Sequence, residues 1–91
     1  MYTIVAPDAF RRRLRKFLKK HPDLRERFVQ VIDDLQNDPF APHLDYHHLG
    51  GKLKGLQAVR LTGSYRITLT IITSEQEILL IDIGSHDEVY R

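Results

Sequence analysis

A chain of 91 residues with 42% apolar and 29% charged side chains suits one globular domain, residues 1–91, with a single modest core. It has no cysteine, which excludes disulfides, thiolate nucleophiles and cysteine-ligated metals, and no apolar run approaches the roughly 20 residues that span a bilayer. The net charge of +2 conceals a block pattern. Residues 11–20 hold seven basic side chains and no acid, residues 21–46 six acids against two arginines, residues 47–66 four basic side chains and no acid, and residues 67–91 five acids against Arg91. Such polarisation predicts a basic face suited to nucleic acid or an acidic peptide.

Tyr2–Val5 reads as a short first strand. Pro7-Asp8 then starts a helix, with the acid near its positive end. Phe10, Leu14, Phe17 and Leu18 fall at i, i+4, i+7 and i+8, one apolar face. Arg11, Arg12, Arg15, Lys16 and Lys19 form the opposite one. His21-Pro22-Asp23 breaks this helix and opens a second, in which Leu24, Phe28, Val31, Ile32 and Leu35 repeat the spacing. The pair is a helical hairpin. A loop begins at Asn37-Asp38-Pro39 and runs through Asp45 into 47–55, where Gly50, Gly51 and Gly55 permit unusual backbone angles. Leu56–Leu61 and Tyr65–Ile72 are strands about the turn Thr62-Gly63-Ser64, and Glu77–Ile83 is a further strand. The predicted fold is α+β, a two-helix hairpin packed on a small antiparallel β-sheet.

Chemistry concentrates in two places. Arg60 and Arg66 straddle the short turn, and strand alternation puts both on the polar face of the hairpin. Two guanidiniums on one rigid face can clamp a phosphate, each with bidentate contacts. At the C-terminal end, His86 follows a strand and Gly84-Ser85, and its imidazole can exchange protons near neutral pH. Tyr90 adds a phenol four residues on. His47 and His48 precede a glycine turn; with His43 they fit no standard zinc spacing, so neither a metal nor a cofactor is expected. Lys52 and Lys54 extend the cationic stretch. The N-terminal MYTIVAPDAFRRR has no cleavage-type site, so a secretory leader is not expected.

The string Arg60-Leu-Thr-Gly-Ser-Tyr65-Arg66-Ile, followed by a strand and Ile83-Gly-Ser-His-Asp-Glu-Val-Tyr90, resembles the RelE/ParE superfamily of bacterial type II toxins. Within it, His47-His-Leu49-Gly-Gly51, Lys54-Gly55 and Gly-Ser-His86 look closest to the YafQ-like branch of ribosome-dependent mRNA interferases. The resemblance covers most of the chain and implies a RelE-like fold. Arg66 sits where RelE toxins place a phosphate-binding arginine. Arg60 falls where RelE has a lysine and the YafQ branch a histidine. His86 falls on the YafQ-branch catalytic histidine, or on an arginine in RelE, Tyr90 on the C-terminal tyrosine of RelE, and His47 on an active-site histidine before the glycine turn in YafQ-like toxins. One departure stands out: Ser64 replaces the catalytic aspartate of the YafQ branch.

What the resemblance implies is a bacterial cytoplasmic toxin that cuts mRNA in the ribosomal A site without a metal. The ribose 2′-OH attacks the adjacent phosphate, leaving a 2′,3′-cyclic phosphate and a 5′-OH. Such chemistry needs a base, a cationic cradle and an acid for the leaving oxygen. His86 is assigned as the acid, with His47 or Tyr90 assisting the 2′-OH, Arg60 and Arg66 holding the phosphate, and Lys52, Lys54, Arg11 and Arg15 binding RNA. The expected partners are a cognate antitoxin, in a hetero-oligomer, and mRNA on the ribosome; no membrane is expected. The alternative is a ParE-like toxin that inhibits DNA gyrase without cutting RNA.

Overall fold

A computed structural model describes residues 1–85 and 87. The chain runs β1 (Thr3–Val5), α1 (Asp8–Lys20), α2 (Arg25–Asn37), β2 (His47–His48), β3 (Gln57–Arg60), β4 (Tyr65–Ile72) and β5 (Glu77–Ser85). One five-stranded sheet has the order β1-β5-β4-β3-β2. Among the described residues, no helix is long and apolar enough to cross a membrane.

Local chemistry explains the helices. Pro7 occupies the N-cap position of α1, Asp8 its first turn, and Lys19 and Lys20 its last, each charge favourable to the helix dipole. Phe10, Phe17 and Leu18 are buried and Leu14 is half-buried, as the spacing predicts. The α1–α2 connection is a single 3₁₀ turn, Pro22–Leu24. Helix α2 buries Val31 and Leu35, and Phe28 stacks on Phe10 of α1 with ring centroids 6.4 Å apart. These side chains close over Val59, Leu61, Ile67, Leu69, Ile78, Leu80 and Ile83 of the sheet and its turn.

Two features differ from the sequence-based expectation. The sheet is mixed: β1 pairs in parallel with β5, Ile4 opposite Ile78, while every other pairing is antiparallel. A parallel neighbour needs a long crossover connection, and the whole chain from α1 to β4 supplies it. The segment expected as loop contains the short edge strand β2, with His47 opposite Ala58 and His48 opposite Gln57. Two residues carry too little alternation to reveal a strand. After β2 the chain turns through a 3₁₀ segment, Gly51–Leu53, with Gly51 at φ 60° and Gly55 at φ 97°. Both angles lie where glycine is favoured.

Strand β5 carries a bulge. Thr68 opposes Asp82 but Leu69 opposes Leu80, so Ile81 is the extra residue. The exposed carbonyl of Ile81 accepts a hydrogen bond from the Arg13 guanidinium at 2.9 Å, tying α1 to the sheet.

A candidate phosphodiester site on the β3–β4 hairpin

The pairing register places Arg60 directly opposite Arg66. Alternation then sends both side chains to one face, as the sequence predicts. The turn between them is fixed locally. The Leu61 and Thr62 N–H groups donate to the Tyr65 carbonyl at 2.9 and 3.0 Å. Thr62 Oγ1 accepts from the Ser64 and Tyr65 N–H groups at 3.2 Å each. From α2, Arg27 Nε donates to the Leu61 carbonyl at 3.0 Å, holding the hairpin against the helices.

His47 reaches the same place from β2. It pairs with Ala58, two residues before Arg60, and so lies on the arginine face of the sheet. Its Nδ1–H donates to the Asp45 carbonyl at 2.7 Å. A carbonyl can only accept, so Nδ1 carries a proton, and in the neutral form of the ring the lone pair is on Nε2. Asp45 makes this geometry by adopting a left-handed conformation, φ 50° and ψ 46°, after the 3₁₀ turn Pro42–Leu44. Aspartate tolerates that region better than most residues. The Asp45 carboxylate also stands 3.8 Å from the Arg60 guanidinium.

Together these residues line a small concave pocket, about 50 Å³, walled by Asp45, His47, Arg60 and Arg66 and closed by Tyr65 and the Thr62-Gly63 turn. It can hold an anion between two guanidiniums with an oriented imidazole beside it. Sequence reasoning missed Asp45. It lies in the irregular loop before β2 and acts on His47 through its backbone carbonyl, which no side-chain pattern marks. Ser64 sits in the exposed turn, and the carboxylate near the pocket is that of Asp45.

Other expected residues lie elsewhere. Lys52 and Lys54 are exposed on the segment after β2 and do not line this pocket. Arg11 and Arg15 are exposed on α1, Arg11 paired with Asp8. His86 and Tyr90, expected to contribute proton transfer, lie outside the described residues. Among the described residues, no group of three or more histidines and carboxylates is placed to hold a metal.

No family model and no curated protein matches the sequence. Solved structures do match over nearly the whole chain. A metal-bound toxin from Helicobacter pylori shares 29% identity at a TM-score of 0.79, over 98% of this chain and 99% of its own. YafQ from Escherichia coli strain BL21(DE3) superposes with a TM-score of 0.81 at 14% identity, both chains being covered completely. The toxin–antitoxin complex RelBE2 from Mycobacterium tuberculosis matches with a TM-score of 0.65 and 21% identity, over 93% of this chain and 98% of the other. Two helices on a five-stranded mixed sheet are the fold that this chain shares with these toxins.

Proposed function

We propose that this chain is the toxin of a type II toxin–antitoxin system and that it cuts mRNA on the ribosome. The observation that carries the proposal is the pocket itself: Arg60 opposite Arg66, beside a histidine whose Nδ1–H is committed to the Asp45 carbonyl. The scissile phosphate lies between the guanidiniums, which stabilise the charge gained by the pentacoordinate phosphorus. His47 Nε2 takes the proton of the 2′-OH as that oxygen bonds to phosphorus. The P–O5′ bond breaks, and the leaving oxygen is protonated by His86, a role that comes from the sequence. The products are a 2′,3′-cyclic phosphate and a 5′-OH. Positive charge comes from the arginines, so the reaction needs no metal.

A cognate antitoxin holds such a protein silent by covering the basic surface. The neighbour crystallised as a toxin–antitoxin complex supports a partner of this kind. Primer extension on mRNA from a translation reaction containing the purified chain tests the activity. New 5′ ends that require ongoing translation are expected. Intact mRNA together with trapped gyrase–DNA breaks would replace this reading with gyrase inhibition.

A further inference from the structure

The turn that closes the arginine pocket has a donor left over. Thr62 lines the pocket beside Arg60 and Arg66. Its Oγ1 accepts the Ser64 and Tyr65 N–H groups at 3.2 Å each. A threonine hydroxyl has two acceptor lone pairs and one proton, so both lone pairs are used and only the proton remains to be given. The Tyr65 carbonyl across the turn is itself taken twice, by the Leu61 and Thr62 N–H groups at 2.9 and 3.0 Å. Among the described residues nothing accepts the Thr62 proton. Turn chemistry alone does not select this residue. Aspartate closes such a turn more strongly than threonine, but its carboxylate has no proton to give and would repel an incoming anion.

Gly63 adds an independent observation. It is exposed and lines the same pocket. The glycines with positive φ are Gly51 and Gly55, so the backbone at Gly63 does not require glycine. A Cβ at this position would have nothing within 4 Å, so crowding within the chain does not require it either. Glycine also serves where a ligand must come close to the backbone, which fits a residue on the wall of an anion pocket. The Gly63 N–H makes no hydrogen bond among the described residues.

We propose that the Thr62 hydroxyl and the Gly63 N–H bind one non-bridging oxygen of the scissile phosphate and act as catalytic donors in the cleavage. As the 2′-oxygen bonds to phosphorus, negative charge grows on that oxygen, and donors already fixed by the turn stabilise it without reorganising. The assignment rests on the nuclease reading of the pocket and deepens it. The arginines supply net charge, and the turn makes the two non-bridging oxygens unequal.

The test uses a short synthetic mRNA on programmed ribosomes, with one phosphorothioate at the bond that primer extension identifies as cut, in each of its two diastereomers. Sulfur accepts hydrogen bonds weakly, so the native chain should cut one diastereomer at least about 10-fold more slowly than the other. Thr62→Val should slow the all-oxygen substrate by about 10²–10³ and shrink that preference. Thr62→Ser keeps the hydroxyl and should restore both. A valine that only loosened the turn would slow both diastereomers and leave their ratio unchanged. That result, or a serine variant as slow as valine, overturns the Thr62 assignment. Gly63→Ala has room for its methyl group and needs no left-handed angle. It should keep the native melting temperature while cleavage falls by up to about 10²-fold, and alanine at the native rate overturns the Gly63 assignment.

A second measurement needs no cleavage. Inorganic phosphate titrated into the free chain should move the Gly63 amide proton downfield in ¹⁵N–¹H NMR spectra, and a Gly63 amide that does not move overturns the contact. Native chain that cuts mRNA while Thr62→Val leaves the diastereomer ratio unchanged loses the turn assignment alone. A chain that leaves mRNA intact yet moves the Gly63 amide with phosphate keeps the anion contact and loses the nuclease reading.

Discussion

Replacing Arg60 by glutamine should separate stability from activity. The register puts Arg60 directly opposite Arg66, and the neighbouring Leu61 N–H to Tyr65 carbonyl bond makes 60/66 the closer, non-hydrogen-bonded kind of pair. Like charges directly opposite destabilise a sheet by roughly 0.2–1 kcal/mol. The compensating ion pair with Asp45 is long at 3.8 Å, with side chains 55% and 60% exposed, so it returns about 0–1 kcal/mol. Arg60→Gln should therefore leave unfolding free energy unchanged or raise it by up to ~1 kcal/mol. Cleavage should nevertheless fall by about 10²–10³, the usual loss on removing one donor to a charge that develops in the transition state. Arg60→Lys keeps the charge but loses the planar fork and should fall between the two. Urea denaturation and the initial rate of mRNA cleavage read the two quantities separately. A variant that unfolds, or one that cuts at the native rate, would refute the reasoning.

Three further outcomes are expected. His47→Ala should slow cleavage by about 10²–10⁴, whereas Asp45→Gly, which keeps the left-handed backbone and the carbonyl that fixes His47, should retain most activity; single-turnover rates compare them. Asp34 accepts hydrogen bonds from His43 at 2.9 Å and Gln30 at 3.0 Å, which hold its carboxyl below the ordinary value of 3.8. Its stabilising contribution is therefore complete above that value and lost as pH falls through the lower folded-state value; an Asp34→Asn chain should show a flatter acid limb in a stability–pH series. Antitoxin association should slow as salt rises from about 0.05 to 0.5 M. Stopped-flow rates that do not change over that range would point to an apolar interface in place of a charged one.

The helical hairpin was legible because both helices repeat apolar residues at the helical period, from Phe10 to Leu18 and from Leu24 to Leu35, between clear breakers. Strand β4 was legible to the residue because residues 65–71 alternate apolar and polar side chains and Thr73-Ser74 follow the strand end at Ile72. Parallel pairing of β1 with β5 was not, since partner choice between distant strands leaves no local mark. Neither was β2, whose strand character comes from the edge that β3 offers. In the pocket, Arg60 and Arg66 followed from alternation and a short turn. Asp45 did not, because its contribution is a backbone carbonyl aimed by a left-handed φ, and the side-chain pattern carries no trace of that.

The central claim is that the arginine pocket breaks RNA by 2′-OH attack. The most direct measurement is the chemistry of the ends left on mRNA after incubation of the purified chain with translating ribosomes. The account predicts 5′-OH and 2′,3′-cyclic phosphate ends, both lost with His47→Ala. Fragments bearing 5′-phosphate, or mRNA left intact by the native chain, would contradict it.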